Sequence, residues 1–216
     1  ITLFDLLKAS LRHRPDYIIV GEIRGEEAYV LFQAMATGHG GICTIHSGSV
    51  DEVTKRLVSP PMNISPVLLP LVGAIAIQVP LVVKRKRTRK IIGIYEIVRR
   101  TEKDFETIPV FANDPSKDVF MKMNSSSHII DVTMSQGWSQ DDLRSELQHR
   151  KTILKWLMRR KINYYKDVGE VISTYYNDPL TQYKKAVGSL YPGLTRLEES
   201  QSQGVEEDKV RVRDPE

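Results

Sequence analysis

An acidic and a histidine side chain follow two short apolar segments near the start of the chain. Glu22 comes after Gly21 at the end of the apolar run Tyr17–Val20, and His46 follows a second apolar run at residues 42–45. In open α/β sheets ligands bind at the carboxyl ends of strands, so a carboxylate there can orient water or a bound magnesium ion. A neighbouring histidine can donate a hydrogen bond to a phosphate oxygen. Nucleotide hydrolases activate water with this combination.

Basic side chains flank the first of these segments. Arg24 lies two residues beyond Glu22, while Arg12 and Arg14 precede the apolar run. The planar guanidinium group binds phosphate oxygens in a fork geometry, and across a subunit boundary it can complete a neighbouring site. His39, in the loop before the second apolar run, adds another donor. These residues extend the candidate site beyond its acid and its histidine.

Other interpretations of the same residues stay open. The Glu22 carboxylate can stand at an ordinary strand-to-helix turn, and His39 can be satisfied by contacts within its loop. The arginines can pair with nearby carboxylates, namely Asp16, Glu26 and Glu27. Two histidines and a carboxylate could also bind zinc, although the spacing between the histidines matches no common zinc motif.

Hydrophobic spacing predicts the elements that position these residues. Leucines at helical spacing predict a helix that ends before Pro15. The continuous apolar run Tyr17–Val20 predicts a strand buried on both faces of a parallel sheet. Residues 26–37 and 50–58 return to helical spacing on either side of the second strand at 42–45. Strand, helix and strand in this order predict a βαβ unit in a layered α/β fold.

The middle of the chain has the spacing of antiparallel strands. Residues 73–83, 91–98 and 105–111 predict strands whose hairpins close the sheet. The basic cluster at 84–90 predicts a solvated turn between two of them. An acidic lipid or a nucleic acid is the alternative partner for that cluster, although no interleaved aromatic side chain offers base stacking. From residue 129 onward the pattern is helical.

The helical part has two apolar stripes and is followed by a polar tail. One stripe consists of Leu143, Leu147, Leu154 and Leu157, and the other of Val168, Val171, Ile172, Tyr175 and Tyr176. Residues 198–216 carry charges of both signs and few large apolar side chains, which predicts disorder. We therefore predict domains at residues 1–112 and 113–188, followed by a tail at 189–216.

Composition limits the class of protein without selecting one. The chain has 216 residues, 41% of them hydrophobic, and a net charge of +4, which does not by itself indicate nucleic acid binding. The single cysteine, Cys43, excludes a disulfide framework and a cysteine-based zinc site. The longest apolar run, at 64–83, contains three prolines, so we do not predict a membrane-spanning helix. The chain begins with Ile1 rather than methionine, and we expect it to be part of a longer protein.

Two segments together carry a family resemblance. The first runs from Leu7 to Gly25 and contains Arg-Pro-Asp-Tyr-Ile-Ile-Val-Gly-Glu-Ile-Arg-Gly. The second contains Gln-Ala-Met-Ala-Thr-Gly-His at 33–39 and Thr-Ile-His at 44–46. They resemble the secretion ATPase superfamily, the motors of type II and type IV secretion, type IV pili and the archaellum. Tyr17 and the C-terminal helical region are similar to the archaeal members.

The resemblance implies a fold and a site. The fold would be a partial RecA-like P-loop NTPase core, α/β with a parallel sheet, flanking helices and β-hairpins, followed by a helical C-terminal extension. Residues 18–22 match the Walker B strand, whose glutamate activates the attacking water, and residues 37–46 match the His box, whose last histidine reads the terminal phosphate. The implied catalytic residues are Glu22, His46 and Arg24. The implied contacts to ATP are Gly21, Glu22, His39, His46, Arg12 and Arg14, with Mg²⁺ held by Glu22 through water.

The resemblance also implies partners and a location. Members of the family form hexameric rings in the cytoplasm, at the inner face of the cell membrane. There an integral-membrane platform protein is the expected partner, and nucleic acid is not.

The chain departs from the family pattern in what it lacks. It contains no Gly-x-x-x-x-Gly-Lys-Ser/Thr sequence and no acidic box before residue 18. Both would precede Ile1 in the family, so we expect this chain alone not to hydrolyse ATP. A non-enzymatic docking module, in which the region from Ile129 binds a membrane platform or a partner subunit, is the first alternative. A basic nucleic-acid binder is the second.

Overall fold

The first part of the chain forms the predicted strand–helix–strand unit. Its elements are α1 (Leu3–Ser10), a 3₁₀ turn (Leu11–His13), β1 (Tyr17–Val20), α2 (Glu27–Ala36), β2 (Gly40–Cys43) and α3 (Val50–Val58). The computed structural model of the chain describes residues 1–83, 85–101, 104–114, 117 and 119–191. The Thr2 hydroxyl accepts a hydrogen bond from the Asp5 N–H and so caps α1, and Ser49 caps α3 in the same way through Glu52.

Strands β1 and β2 pair in parallel, and one face of this pair is covered. Ile18 and Val20 are 5% and 3% exposed and pack with apolar side chains of α1, α2 and α3. Tyr17 and Ile19 alternate with them and are 67% and 73% exposed. The prediction of a strand buried on both faces is therefore wrong, because among the described residues the helices cover only one side.

The second strand begins two residues earlier than predicted. Gly38, at φ +98°, ends the turn after α2, and the Gly40 N–H donates to the Asp16 carbonyl at 2.8 Å. Pairing therefore starts at Gly40 and ends at Cys43, and the predicted strand at 42–45 is displaced. Ile45 still packs on the core, but it follows the strand.

The middle of the chain forms a four-stranded antiparallel sheet. Its strands are β3 (Ile75–Val83), β4 (Lys86–Arg99), β5 (Phe105–Asp114) and β6 (Val119–Lys122), paired in that order. In the described residues this sheet is separate from β1 and β2, so the hairpins do not close the parallel sheet as predicted. Ile77 and Ile97 nevertheless pack into the same apolar core as α2 and α3. The predicted mixed α/β class is confirmed.

One local prediction about this sheet is wrong, and one of its strands was not predicted. Most of the basic cluster lies in β4 rather than in a turn, because strand pairing already begins at Lys86, which pairs with Val83. Arg85, the residue before Lys86, has a φ of +64°. Strand β6 was not predicted: it precedes the region predicted to be helical from residue 129, and its four residues are all exposed, so no buried side gave it a periodic signal.

A buried carboxylate on β4 holds the start of the next helix, α4 (Ser127–Ser135). Glu96 is only 5% exposed. Its carboxylate accepts hydrogen bonds from the backbone N–H groups of Ser127 and His128 at 3.0 and 3.3 Å and from the Ser127 hydroxyl at 2.9 Å, and it also contacts the Ser126 hydroxyl. The carboxylate thus satisfies donors that the first helical turn leaves unpaired.

The chain divides into two units after Val132, and the second is helical. Helices α5 (Gln140–Arg160), α6 (Tyr165–Asn177) and α7 (Pro179–Leu190) follow α4. Their core consists of Ile153, Trp156, Leu157, Tyr175, Ala186 and Leu190. The predicted stripes are partly wrong, since Leu147, Leu154, Ile172 and Tyr176 are exposed.

Three sequence predictions concern the layout of the whole chain. The predicted domain boundary at residue 112 lies inside β5. The tail predicted to be disordered, at 198–216, lies outside the described residues. Among the residues that the structure describes, no helix is long and apolar enough to cross a membrane.

Candidate functional site

The candidate site lies where the chain leaves β1 and β2. Beyond the last strand pair, the two segments stay joined, because the Ile23 N–H donates to the Thr44 carbonyl at 2.9 Å. The Thr44 hydroxyl donates in turn to the Gly21 carbonyl at 2.5 Å. These two bonds hold the loop that bears Glu22 beside the loop that leads to His46.

Glu22 contacts a cationic group and a histidine with its two carboxylate oxygens. Arg24 Nη2 donates to Oε2 at 2.5 Å, and His46 Nε2 lies 3.3 Å from Oε1. The Arg24 hydrogen bond, aided by the charges of Arg24 and His46 and of Arg56 on α3, lowers the pKa of the Glu22 carboxyl below its usual range. Glu22 is therefore ionised at neutral pH, as a residue that orients water or a metal-bound water must be.

The two partners of Glu22 remain open to solvent. The side chains of Arg24 and His46 are 71% and 83% exposed, whereas that of Glu22 is 26% exposed. An incoming anion can therefore reach both donors without displacing a buried contact.

Glu27 fixes the loop between Glu22 and α2. Its carboxylate accepts the backbone N–H groups of Arg24 and Gly25 at 2.5 and 2.8 Å. Burial alone would raise the pKa of the Glu27 carboxyl. These hydrogen bonds outweigh the effect of burial, so the pKa of Glu27 is lowered. The Arg24 backbone is thereby anchored while its side chain stays exposed.

Arg56 on α3 holds the histidine loop from the other side. Its guanidinium group donates to the His46 carbonyl. With Arg24, Glu52 and Lys55 it also lines an open pocket of about 280 Å³ beside the Glu22 loop. Three of these four side chains are basic, so the pocket favours an anionic ligand.

The structure brings some of the predicted residues together and leaves others apart. Glu22, Arg24 and His46 form one cluster, as the predicted strand pairing requires. Arg12 and Arg14 are exposed near the 3₁₀ turn before β1, and no hydrogen bond or ion pair joins them to Glu22 within the described ranges. A Cβ on Gly21 would meet no atom within 4 Å, so the space beside it is open.

His39 does not lie at the candidate site. It stands before β2, at the end of the strands opposite to Glu22, so the full length of the strands, about 13 Å for four residues, lies between them. Its Nδ1 lies 2.6 Å from the Pro15 carbonyl oxygen. The strand therefore separates the two histidines, and His39 is not part of the cluster around Glu22, so its contact with ATP stays a prediction.

The sequence did not point to Arg56 or Thr44, or to the hydrogen bonds that the Glu27 carboxylate accepts from backbone N–H groups. Arg56 lies on a helix whose buried face was predicted, and its exposed side gave no signal of which loop it would reach. Glu27 was considered only as an ion-pair partner for an arginine. In the structure it accepts backbone N–H groups instead.

The residues present fit a magnesium-bound nucleoside phosphate. An ionised carboxylate can hold the metal through water, and two exposed donors beside it can contact phosphate oxygens. In the part of the chain that the structure describes, no group of three or more histidine, cysteine or acidic side chains could hold a metal ion directly.

Replacing Arg24 with glutamine is expected to raise the pKa of Glu22 towards that of an ordinary glutamate. The depressed pKa means that the ion pair stabilises the site above the usual glutamate range and that this contribution is lost as the pH falls through the depressed value. Titration of the Glu22 side-chain carbon by NMR measures the shift. Arg12→Gln removes the same charge away from the site, and an equal shift in that variant would contradict the role of Arg24.

The fold and the site define a mixed α/β protein with an acid–histidine pair at the carboxyl end of parallel strands. The chain belongs to the type II/IV secretion system protein family, whose model matches residues 1–113. A second model, PilB3-like, C-terminal, matches residues 116–186. The predicted family is thus confirmed.

Similar proteins occur in archaea and in bacteria. The uncharacterized protein MJ1287 of Methanocaldococcus jannaschii is 40% identical over 173 residues, 79% of this chain and 64% of that protein. MJ0900 of the same organism is 35% identical over 187 residues, 83% of this chain and 34% of that protein. The chain therefore spans between a third and two thirds of these relatives. The probable conjugal transfer protein TrbB of Sinorhizobium fredii is 45% identical over 58 residues, 26% of this chain and 18% of that protein.

Similar chains are also found among solved structures. The X-ray structure of the Legionella pneumophila ATPase DotB matches over 60% of this chain and 30% of the DotB chain. The identity is 19% and the TM-score is 0.33.

Proposed function

We propose that this chain supplies the water-activating half of the active site of an ATPase that powers type II/IV secretion or the assembly of pilus-like filaments. The arrangement of Glu22 between Arg24 and His46 is the observation that carries the proposal. Membership of the secretion family supports the same assignment.

Each residue of the cluster has a proposed role. Glu22 accepts a hydrogen bond from the attacking water and turns its lone pair towards the terminal phosphate, and through water it also holds the metal. His46 Nε2 donates to a terminal phosphate oxygen, and Arg24 places positive charge beside it. Bound ATP with Mg²⁺ supplies the reactive phosphoryl group and neutralises part of its charge.

We also propose the assembly, location and partner with which the site acts. The intact protein works as a hexameric ring in the cytoplasm, at the inner face of the cell membrane, with an integral-membrane platform protein as partner. Similarity to archaeal proteins favours an archaeal-type machine, and similarity to a conjugal transfer protein is compatible with a transport role. The backbone nest that grips phosphates belongs to the part of the site that this chain does not supply.

Release of phosphate from ATP tests the proposal. The purified 216-residue chain is expected to show no turnover above buffer, whereas a longer form that carries a phosphate-binding loop before residue 1 is expected to hydrolyse ATP. Turnover by the 216-residue chain that Glu22→Gln abolishes would show that the chain holds a complete site. A longer form with a phosphate loop and no turnover would contradict the ATPase assignment itself.

A further inference from the structure

The second unit exposes a mixed basic and apolar stripe on α5. Lys151, Leu154, Lys155 and Met158 lie at positions i, i+3, i+4 and i+7, which places them on one side of the helix, and Lys161 is the residue that follows its last turn. We call this set the α5 stripe. Leu154 and Met158 are 58% and 78% exposed, although side chains of their type are usually buried. The opposite side of α5 carries Ile153, Trp156 and Leu157 and packs in the core of the unit.

The charge of this part of α5 has a single sign. Residues 150–161 contain six basic residues and no acidic one. Three of the six are engaged within the unit: Arg150 pairs with Glu146, Arg159 donates to the Leu190 carbonyl, and Arg160 donates to the Ser189 hydroxyl. The side-chain ammonium groups of the lysines in the α5 stripe make no hydrogen bond or ion pair with any residue that the structure describes.

Two exposed tyrosines follow the stripe in the sequence, at the start of α6. Tyr164 and Tyr165 are 52% and 72% exposed, and their rings contact edge to face with centroids 5.0 Å apart. Tyrosine is enriched where a protein meets the headgroup region of a membrane, because its ring is apolar and its hydroxyl is polar. In the sequence they come three and four residues after Lys161, the last residue of the stripe.

We propose that the α5 stripe, with Tyr164 and Tyr165, binds the surface of a membrane that contains anionic lipids. Lysine ammonium groups would contact headgroup phosphates while their alkyl stems lie along the surface, and Leu154 and Met158 would insert between them. An acidic helix would satisfy the lysines but would not account for the adjoining pair of tyrosines. The inference concerns a surface of the second unit and does not depend on the ATPase assignment.

Co-sedimentation of the whole chain with lipid vesicles tests this inference. The chain is expected to sediment with vesicles of equimolar phosphatidylglycerol and phosphatidylcholine and not with phosphatidylcholine alone, and added salt is expected to release it. The double variant Lys151→Gln/Lys155→Gln is expected to lose about thirtyfold in affinity, since each lysine near an anionic surface contributes about fivefold. Leu154→Gln/Met158→Gln leaves the charge unchanged and is expected to lose about tenfold or more.

A matched variant distinguishes binding through the α5 stripe from non-specific electrostatic attraction between the chain and the vesicles. Arg87→Gln/Arg89→Gln removes two charges from exposed positions of β4 and is expected to keep most of the affinity. All changed side chains are exposed, and circular dichroism verifies that each variant is folded. An equal loss in the β4 variant, or full binding by the Leu154/Met158 variant, would overturn the proposal. Absence of vesicle binding together with a dimer that the Leu154/Met158 variant dissociates would assign the face to a second copy of the chain instead.

Discussion

Replacing Glu22 with glutamine is expected to lower ATP turnover by about 10²–10⁴-fold in a longer form that completes the site. Glutamine keeps the size of the side chain but has no negative charge with which to orient water. The loss should fall on kcat, because Glu22 acts on the water rather than on the bound nucleotide. Steady-state phosphate release and nucleotide titration, measured on the same preparation, separate the two effects.

The neighbouring glutamate offers a matched control for this experiment. Glu26 is exposed and lies four residues further along the chain, so Glu26→Gln removes the same charge without touching the cluster. We expect its turnover to stay close to that of the unchanged protein. Similar losses of turnover in both variants would mean that Glu22 contributes only negative charge to the electrostatic field around the site. Unchanged turnover in Glu22→Gln would show that Glu22 has no part in the mechanism.

Replacing Glu96 with glutamine is expected to destabilise the start of α4 by about 1.5–3 kcal/mol, the range for hydrogen bonds to a charged group. The amide retains one acceptor oxygen, but its NH₂ group then faces donors. Exchange of the Ser127 and His128 amide hydrogens is expected to accelerate by about 10- to 100-fold, which NMR can follow at each residue. Glu106, on the next strand, forms an exposed ion pair with Arg100, and Glu106→Gln is expected to cost at most about 1 kcal/mol.

Acid should reproduce the Glu96 substitution. Burial disfavours the charge of Glu96, yet the hydrogen bonds from Ser126, Ser127 and His128 outweigh it and lower its pKa. The stabilisation is therefore present above the ordinary pKa of glutamate and is lost as the pH falls through the lowered value. The exchange rates of the variant and the unchanged chain should converge in acid, and a constant difference across that range would contradict this account.

Sequence alone predicts the parts of the fold whose pattern reflects burial. Val20 and Leu31 are apolar because they lie in the core, and their spacing predicted the βαβ unit. Strand β6 and the buried Glu96 were not predicted, because one has no buried side and the other is a charged residue whose donors lie about thirty residues away. The bounds of β2 depended on a backbone contact between Gly40 and Asp16 that composition does not reveal.

The candidate site, too, could be predicted from the sequence only in part. The pairing of parallel strands was enough to place Glu22 beside His46, since both follow adjacent strands. His39 precedes the second strand in the prediction as well as in the structure, so the same pairing places it at the opposite end from Glu22. Arg56 could not be found from spacing, since its contact with the His46 loop depends on how α3 packs.

The hydrogen bonds between the Glu22 and Thr44 loops show why residue counts are a poor guide to this site. The acid and the histidine are aligned by the ladder that begins at Tyr17 and Gly40 and continues to Ile23 and Thr44. The chain between the strands can therefore lengthen or shorten without moving the chemistry, provided that this alignment is kept. A single-residue slip within a strand, by contrast, would turn every later side chain to the opposite face. Insertions should therefore be tolerated around α2, whereas deletions inside β1 or β2 should not.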